Sequence, residues 1–181
     1  MVTLYFIAVV LPEELNQKML LLKQQLFDRY GCRVGLKSPA HITLQPPFRM
    51  DTSLEPLLIN SLDSVSEEQE TFELTLNGFS AFRPRTLFAA ILPEPALTAL
   101  KLRVDAYFKA RTQLPVKIDT RPFHPHITVA TRDLTKAAFY EVWPEFEQKE
   151  WSDRWEVTGL SLLRHNQKNW DVIHTSQFHN V

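Results

Sequence analysis

The tightest constraint on this chain is that it spells the same short words twice, in the same order. His41-Ile42-Thr43 recurs as His126-Ile127-Thr128, Leu11-Pro12-Glu13 as Leu92-Pro93-Glu94, and Phe72-Glu73-Leu74-Thr75 as Trp155-Glu156-Val157-Thr158. The offsets are 85, 81 and 83 residues. Three ordered matches at a near-constant spacing make the chain a duplicated unit of strand, helix, HxT strand, helix and strand. The break falls near Pro84, giving pseudo-repeat lobes of approximately 1–83 and 84–181 within a single domain spanning 1–181. At 181 residues such a domain buries a substantial core.

Local patterning fills in each unit. Residues 2–10 are apolar, β-branched and aromatic, and read as a buried strand. They are too short to span a membrane and lack the basic residue and cleavage site of a leader, so a cytoplasmic protein is expected. Leu15, Met19, Leu22 and Leu26 recur at helical spacing between Pro12 and about Tyr30. "HITL" reads as a short strand closed by Pro46-Pro47, and residues 54–66 as a helix. Strands are predicted over 72–79, 85–92 and 126–130, and helices over 95–110 and 135–148, the last weakened near Pro144. "RWEVTGLSLLRH" and "NWDVIHTSQF" read as two strands of a terminal hairpin.

Strand period explains why the repeated motif skips a residue. Successive side chains point to opposite faces, so His41 and Thr43 share one face while Ile42 and Leu44 share the other. The apolar pair buries, leaving the imidazole and hydroxyl roughly 7 Å apart on the open face, a separation that suits flanking one phosphate. Two lobes packed about a pseudo-twofold axis would bring both HxT faces to one groove. One imidazole, with an ordinary pKa near 6.5, can then take a proton while the other gives one. Thr43 and Thr128 would hydrogen-bond the non-bridging phosphate oxygens.

Charge and cysteine content narrow the alternatives. The formal net charge of −1 argues against an extensive nucleic-acid footprint but is compatible with a small substrate or the end of an RNA. Cys32 is the single cysteine, which excludes a disulfide framework or a cysteine-rich metal cluster and fits a reducing compartment. His124 beside His126 suggests a metal ligand at first sight, but no zinc-like spacing completes the set, so neither metal nor cofactor is expected. His124 instead borders the groove if Pro125 keeps the strand alternation. Arg83 and Arg85 lead into a central strand, Arg49 and Arg132 follow the two HxT strands, and each is a candidate phosphate contact. Phe48 is a candidate for stacking on a base, with a core role as the plainer reading. His165 and His174 read as structural or exposed.

The paired "HITL" and "HITV" motifs, about 85 residues apart in a chain of this length, resemble the two-histidine phosphoesterase superfamily. Its best-known branch comprises 2′–5′ RNA ligase-like proteins and RNA 2′,3′-cyclic phosphodiesterases. The resemblance covers nearly the whole chain, including "FRPRTLFAAIL". It implies an α+β fold, bilobal, with two antiparallel sheets lining a central groove and helices on the outer faces. It also implies a monomer that opens 2′,3′-cyclic phosphodiesters without a metal, to give 2′-phosphates. Carried over position by position, the catalytic set is His41, Thr43, His126 and Thr128, with His126 as base and His41 as acid. The family's second motif often runs on to an arginine where this chain has Thr131, with Arg132 one place later. A ligase or transferase joining RNA ends, and a non-catalytic binder of phosphorylated nucleotides, are the alternatives from the same residues.

Overall fold

A computed structural model describes residues 1–179. Its elements run β1 (Val2–Val10), α1 (Glu13–Tyr30), a 3₁₀ turn (Val34–Lys37), β2 (His41–Asp51), α2 (Glu55–Ser66), β3 (Phe72–Phe82) and β4 (Thr86–Ile91). Then follow α3 (Pro95–Lys109), β5 (His126–Ala130), α4 (Lys136–Glu147), β6 (Ser152–Val157), β7 (Gly159–His165) and β8 (Trp170–Gln177). All eight strands join one antiparallel sheet in the order β6-β3-β4-β5-β2-β1-β7-β8, curled as a half-barrel. The α+β class is as expected, but the two separate sheets are not.

The reason lies at the middle of the sheet. β2 and β5, the two HxT strands, touch through a single registered pair, Ile42 opposite Ile127. That one bridge joins two four-stranded halves which would otherwise be the two sheets. The halves are not simple sequence halves. β3 pairs with β4 and β6, while β7 and β8 stand beside β1, so each half of the sheet draws strands from both ends of the chain. The predicted single strand over 154–165 accordingly breaks at Thr158, with β6 at one outer edge of the sheet and β7 near the other.

The helices pack on one face only. Tyr5, Ile7 and Val9 of β1 and Ile42 and Leu44 of β2 enter the main core with Ile127 and Val129 of β5. Leu15, Met19, Leu22 and Leu26 of α1 meet them there, which is the stripe the sequence spacing predicts. Gly31 ends α1 at φ 72°, a left-handed cap that suits glycine, and donates its N–H to the Phe27 carbonyl at 2.7 Å. On the opposite face Phe6, Ala8 and Leu163 form a small second cluster with Val10 and Trp170.

β2 does not stop at Pro46-Pro47. The β1–β2 register slips between Tyr5 and Ile7 and again before Ala8, so the strand carries both prolines through a bulge and runs on to Asp51. The slip buries Leu44 and Gln45 in succession and returns Phe48 to the helix side, where it is buried against Tyr5 with ring centroids 6.2 Å apart. Phe48 is thus core and unable to stack on a base.

Candidate active site

Because Ile42 and Ile127 are opposed in an antiparallel pair, a local twofold axis runs between them. Their side chains go to the helix face, so strand alternation sends His41, Thr43, His126 and Thr128 to the other. Continuing that register sets His41 across from Thr128 and Thr43 across from His126. The imidazoles occupy one diagonal, roughly 7–8 Å apart at the Cα atoms in a regular ladder. Strands that meet at one bridge and then part widen this further, leaving a notch between the two motifs.

Each imidazole is anchored in the same way. His41 Nδ1 lies 2.7 Å from the Pro39 carbonyl oxygen, and His126 Nδ1 lies 2.7 Å from that of His124. A carbonyl only accepts, so Nδ1 carries the proton and donates in both cases. Both rings are left with Nε2 as the working atom, bare when the ring is neutral and protonated when it is charged. The anchoring carbonyl stands two residues back in each motif, that of Pro39 in the first and of His124, just before Pro125, in the second, so the repeat preserves the tautomer as well as the residue.

The environments of the two rings differ. Phe6 packs on His41 at 4.7 Å, and Trp170 closes on Phe6 at 4.6 Å. His126 packs against Phe82 at 5.1 Å and Phe88 at 5.0 Å. Burial pushes the His41 pKa down to about 4, against an upward pull from the Pro39 carbonyl, with the charges of Lys23 and His126 lowering it further. Burial also lowers His126, opposed by the His124 carbonyl and aided by the His124 charge.

His41, Thr43 and Thr128 line a cavity of about 320 Å³ whose wall also takes in Phe6, Lys37, Ser38, Thr131, Arg132, His165 and Trp170. Among the described residues no carboxylate lines it, so the cavity is set up for an anion. A larger depression of about 730 Å³, between Asn77–Phe79 and Glu147–Ser152, holds none of the motif residues. Among the described residues no three of His, Cys, Asp and Glu come together in a way that could hold a metal ion.

The shifted arginine reaches this cavity despite its displacement by one residue. Thr131 hydrogen-bonds Thr86 Oγ1 at 3.0 Å, and Arg132 follows at φ 54°, a left-handed turn that breaks strand alternation and lets both residues line the wall. Arg49 pairs with Leu4, itself part of the wall, and stands exposed farther along β2. Arg83 goes elsewhere: its guanidinium lies 5.0 Å over the Trp143 ring and 3.3 Å from Glu147, both on α4. Arg85 is exposed in the β3–β4 turn. His124 is exposed, with its ring 5.1 Å from Phe82 and its carbonyl holding His126.

Lys37, Ser38, Phe6 and Trp170 are cavity residues that sequence reasoning did not single out, and His165, expected to be structural or exposed, also lines the wall. Phe6 was within reach, since it shares a strand face with Ala8, which pairs with Thr43. Lys37 and Ser38 depend on Gly35: a Cβ there would strike the Val129 carbonyl oxygen, so only glycine lets this turn lie against β5. Asp133 Oδ2 ties the same turn down by accepting the N–H groups of Arg33 and Val34 at 2.6 and 2.9 Å. His165 pairs with Trp170 across β7 and β8, at ring distance 4.9 Å.

Comparison with known proteins agrees with this geometry. TT0787 of Thermus thermophilus superposes with a TM-score of 0.72 at 20% identity, over 98% of each chain. E. coli LigT complexed with 3′-AMP superposes at 0.69 and 18% identity, over 98% of this chain and 99% of that one, and these two likenesses establish the fold. An RNA 2′,3′-cyclic phosphodiesterase of Geobacillus stearothermophilus is 31% identical over 145 residues, which is 75% of this chain. The match takes in 44% of that relative, so the chain spans less than half its length. The profile of the 2′-5′ RNA ligase superfamily matches residues 13–169, most of the chain and both HxT motifs. The protein belongs to the 2′-5′ RNA ligase superfamily, the two-histidine phosphoesterases.

Proposed function

We propose that the protein is a metal-independent phosphoesterase that hydrolyses 2′,3′-cyclic phosphodiesters of nucleotides or RNA ends to 2′-phosphates, by paired-histidine acid/base catalysis. One observation carries the reading. Two imidazoles with the same anchored tautomer stand on opposite strands of a twofold-related pair, beside a cavity lined by cations and, among the described residues, by no carboxylate. One Nε2 takes the proton of an attacking water as its oxygen bonds to phosphorus. The other gives a proton to the 3′ oxygen as its bond to phosphorus breaks, leaving a 2′-phosphomonoester. Each such transfer is typically worth on the order of 10²–10⁴ in rate. Thr43 and Thr128 donate to the non-bridging oxygens, and Lys37 and Arg132 offset their charge. The same reading takes the enzyme as a cytoplasmic monomer, in which the buried Cys32 thiol stays reduced.

The resemblance to the family makes His126 the base and His41 the acid. Burial lowers both rings, and His41 the further, so His41 is the more readily held neutral and free to take a proton, which favours the exchanged order. Incubation with 2′,3′-cyclic nucleotides, followed by separation of 2′- and 3′-phosphates, tests the reaction. Failure to open any cyclic phosphodiester, or exclusive formation of 3′-phosphate, counts against it, and joined RNA ends would make it a ligase. A nitrophenyl phosphodiester needs no proton on its leaving group, so it should rescue whichever histidine variant lacks the acid and thereby fix the order.

A further inference from the structure

Behind His41 sits a buried lysine that the chemistry above leaves unused. Lys23, in the middle of α1, is 3% exposed. Its Nζ donates to the Ser38 carbonyl at 3.1 Å, and among the described residues it forms no ion pair with a carboxylate. Burial alone lowers its pKa, to about 8. An unpaired ammonium at this position is costly, and an apolar side chain would suit the helix face better. Some other demand is met by keeping it.

The geometry shows which. Ser38 is followed by Pro39, whose carbonyl fixes His41 Nδ1, so one rigid helix reaches the catalytic ring through two adjacent peptide groups. Lys23 Cγ also lies under the 3₁₀ turn, 3.7 Å from where a Cβ on Gly35 would sit. The second repeat also buries a lysine, Lys101 of α3, 6.0 Å from the Phe123 ring, but Asp105 pairs with it and offsets its charge, and the charge that acts on His126 is that of its neighbour His124. We propose that Lys23 is a positioning residue for His41, clamping the 38–40 backbone that orients this imidazole and setting a fixed positive charge behind it and not behind His126. This rests on reading the two histidines as an acid/base pair.

The other groups facing His41 are accounted for. His126 faces it from β5, and Lys37, His165 and Arg132 share its cavity from the 3₁₀ turn, β7 and the β5–α4 turn. Glu13, Lys37 and Asp171 edge the neighbouring cleft that Lys23 lines, and neither acid comes within 4.0 Å of its ammonium. Lys23 is the one cation among these held by the core itself, so it makes two imidazoles with the same anchor chemically unequal.

Lys23→Met and Lys23→Gln test this, with both histidines followed by NMR titration. Lys23→Met should fold with an unchanged or higher Tm, since it removes a buried unpaired charge. Its kcat should fall by on the order of tenfold to a hundredfold with KM little changed, as a loosened catalytic ring predicts. The His41 resonance should titrate at higher pH in both variants, because a repelling charge is gone, while His126 stays where it was. Lys23→Gln keeps a donor for the Ser38 carbonyl and should recover part of kcat without reversing the His41 shift. Wild-type kcat, or a His41 titration that does not move, overturns the proposal, and so does failure of both variants to fold, which would make Lys23 structural. Should the wild type turn over no phosphodiester, the His41 titration still decides the matter, so the two readings fail separately.

Discussion

Acidification from pH 6.5 to 4.5 should destabilise this protein steeply, and His41→Gln should remove much of that loss. His41 has its folded-state pKa lowered to about 4, from an ordinary value of 6.5, chiefly by burial. The unfolded chain therefore takes up a proton below pH 6.5 that the folded state refuses. Stability is complete above that pH and declines as pH falls, until the folded imidazole also titrates. A single such group costs roughly 1.4 kcal/mol per pH unit, or about 2.5 kcal/mol by pH 4.5. His126, lowered in the same direction, adds to the slope. The carboxylates act elsewhere: Asp51 is held at about 2 by Ser53 and the terminal ammonium, and Asp119 is held low by Arg121. Their contributions are lost only below the ordinary carboxylate range. Urea unfolding followed by tryptophan fluorescence at pH 7.5, 6.5, 5.5 and 4.5 measures the difference. Wild type and His41→Gln should separate by about 2.5 kcal/mol in the pH dependence of their unfolding free energy. Parallel curves would mean that His41 is fully hydrated in the folded protein, and the electrostatic argument for its role would go with them.

Three other outcomes follow from the same geometry. His41→Ala and His126→Ala should each abolish turnover while circular dichroism stays native, since both rings are half-buried on the sheet face away from the main core; near wild-type rates in either would end the paired-histidine mechanism. Activity should survive EDTA, because imidazoles and threonines supply the acid, base and charge stabilisation; loss on chelation with recovery on a divalent ion would reverse that. Arg132→Ala should raise KM by on the order of tenfold through a lost charge-assisted hydrogen bond, whereas Arg83→Ala, which breaks contacts to Trp143 and Glu147 on α4, should leave steady-state kinetics unchanged.

Much of this arrangement is legible in the sequence alone. Parity along β2 and β5 puts histidine and threonine on one face, and the repeat puts both motifs into one structure. Failures come where tertiary contact overrides local pattern. Pro46-Pro47 reads as a strand end, yet a bulge against β1 carries the strand through, and this returns Phe48 to the core. "RWEVTGLSLLRH" shifts its apolar parity from Trp155 and Val157 to Leu160 and Leu162 at Gly159, where β6 and β7 part, but nothing in its letters shows that its two halves pair with β3 and with β1. Arg83 and Arg132 look equivalent as residues flanking a strand. Only the left-handed turn at Arg132 and the aromatic partner of Arg83 distinguish the groove from the helix side.

A duplicated fold poses a chemical difficulty that the rest of the chain resolves. Perfect twofold symmetry would give two imidazoles of equal pKa, whereas acid/base catalysis needs one neutral and one protonated ring together. The anchors keep that equality, each with Nδ1 on a carbonyl at 2.7 Å. Beyond the anchors the surroundings depart from it in part. Each ring packs on a phenylalanine of the adjacent strand, Phe6 or Phe88, but Trp170 closes on Phe6 while Phe82 joins Phe88. Among the described residues the buried Lys23 lacks the carboxylate partner that the buried Lys101 of the second repeat has in Asp105. β7 and β8 complete the half-sheet beside β1 and bring His165 and Trp170 to the cavity wall, a pair with no match in the first repeat. The repeat therefore accounts for having two histidines on one sheet face, and the residues outside the repeat account for their unequal surroundings.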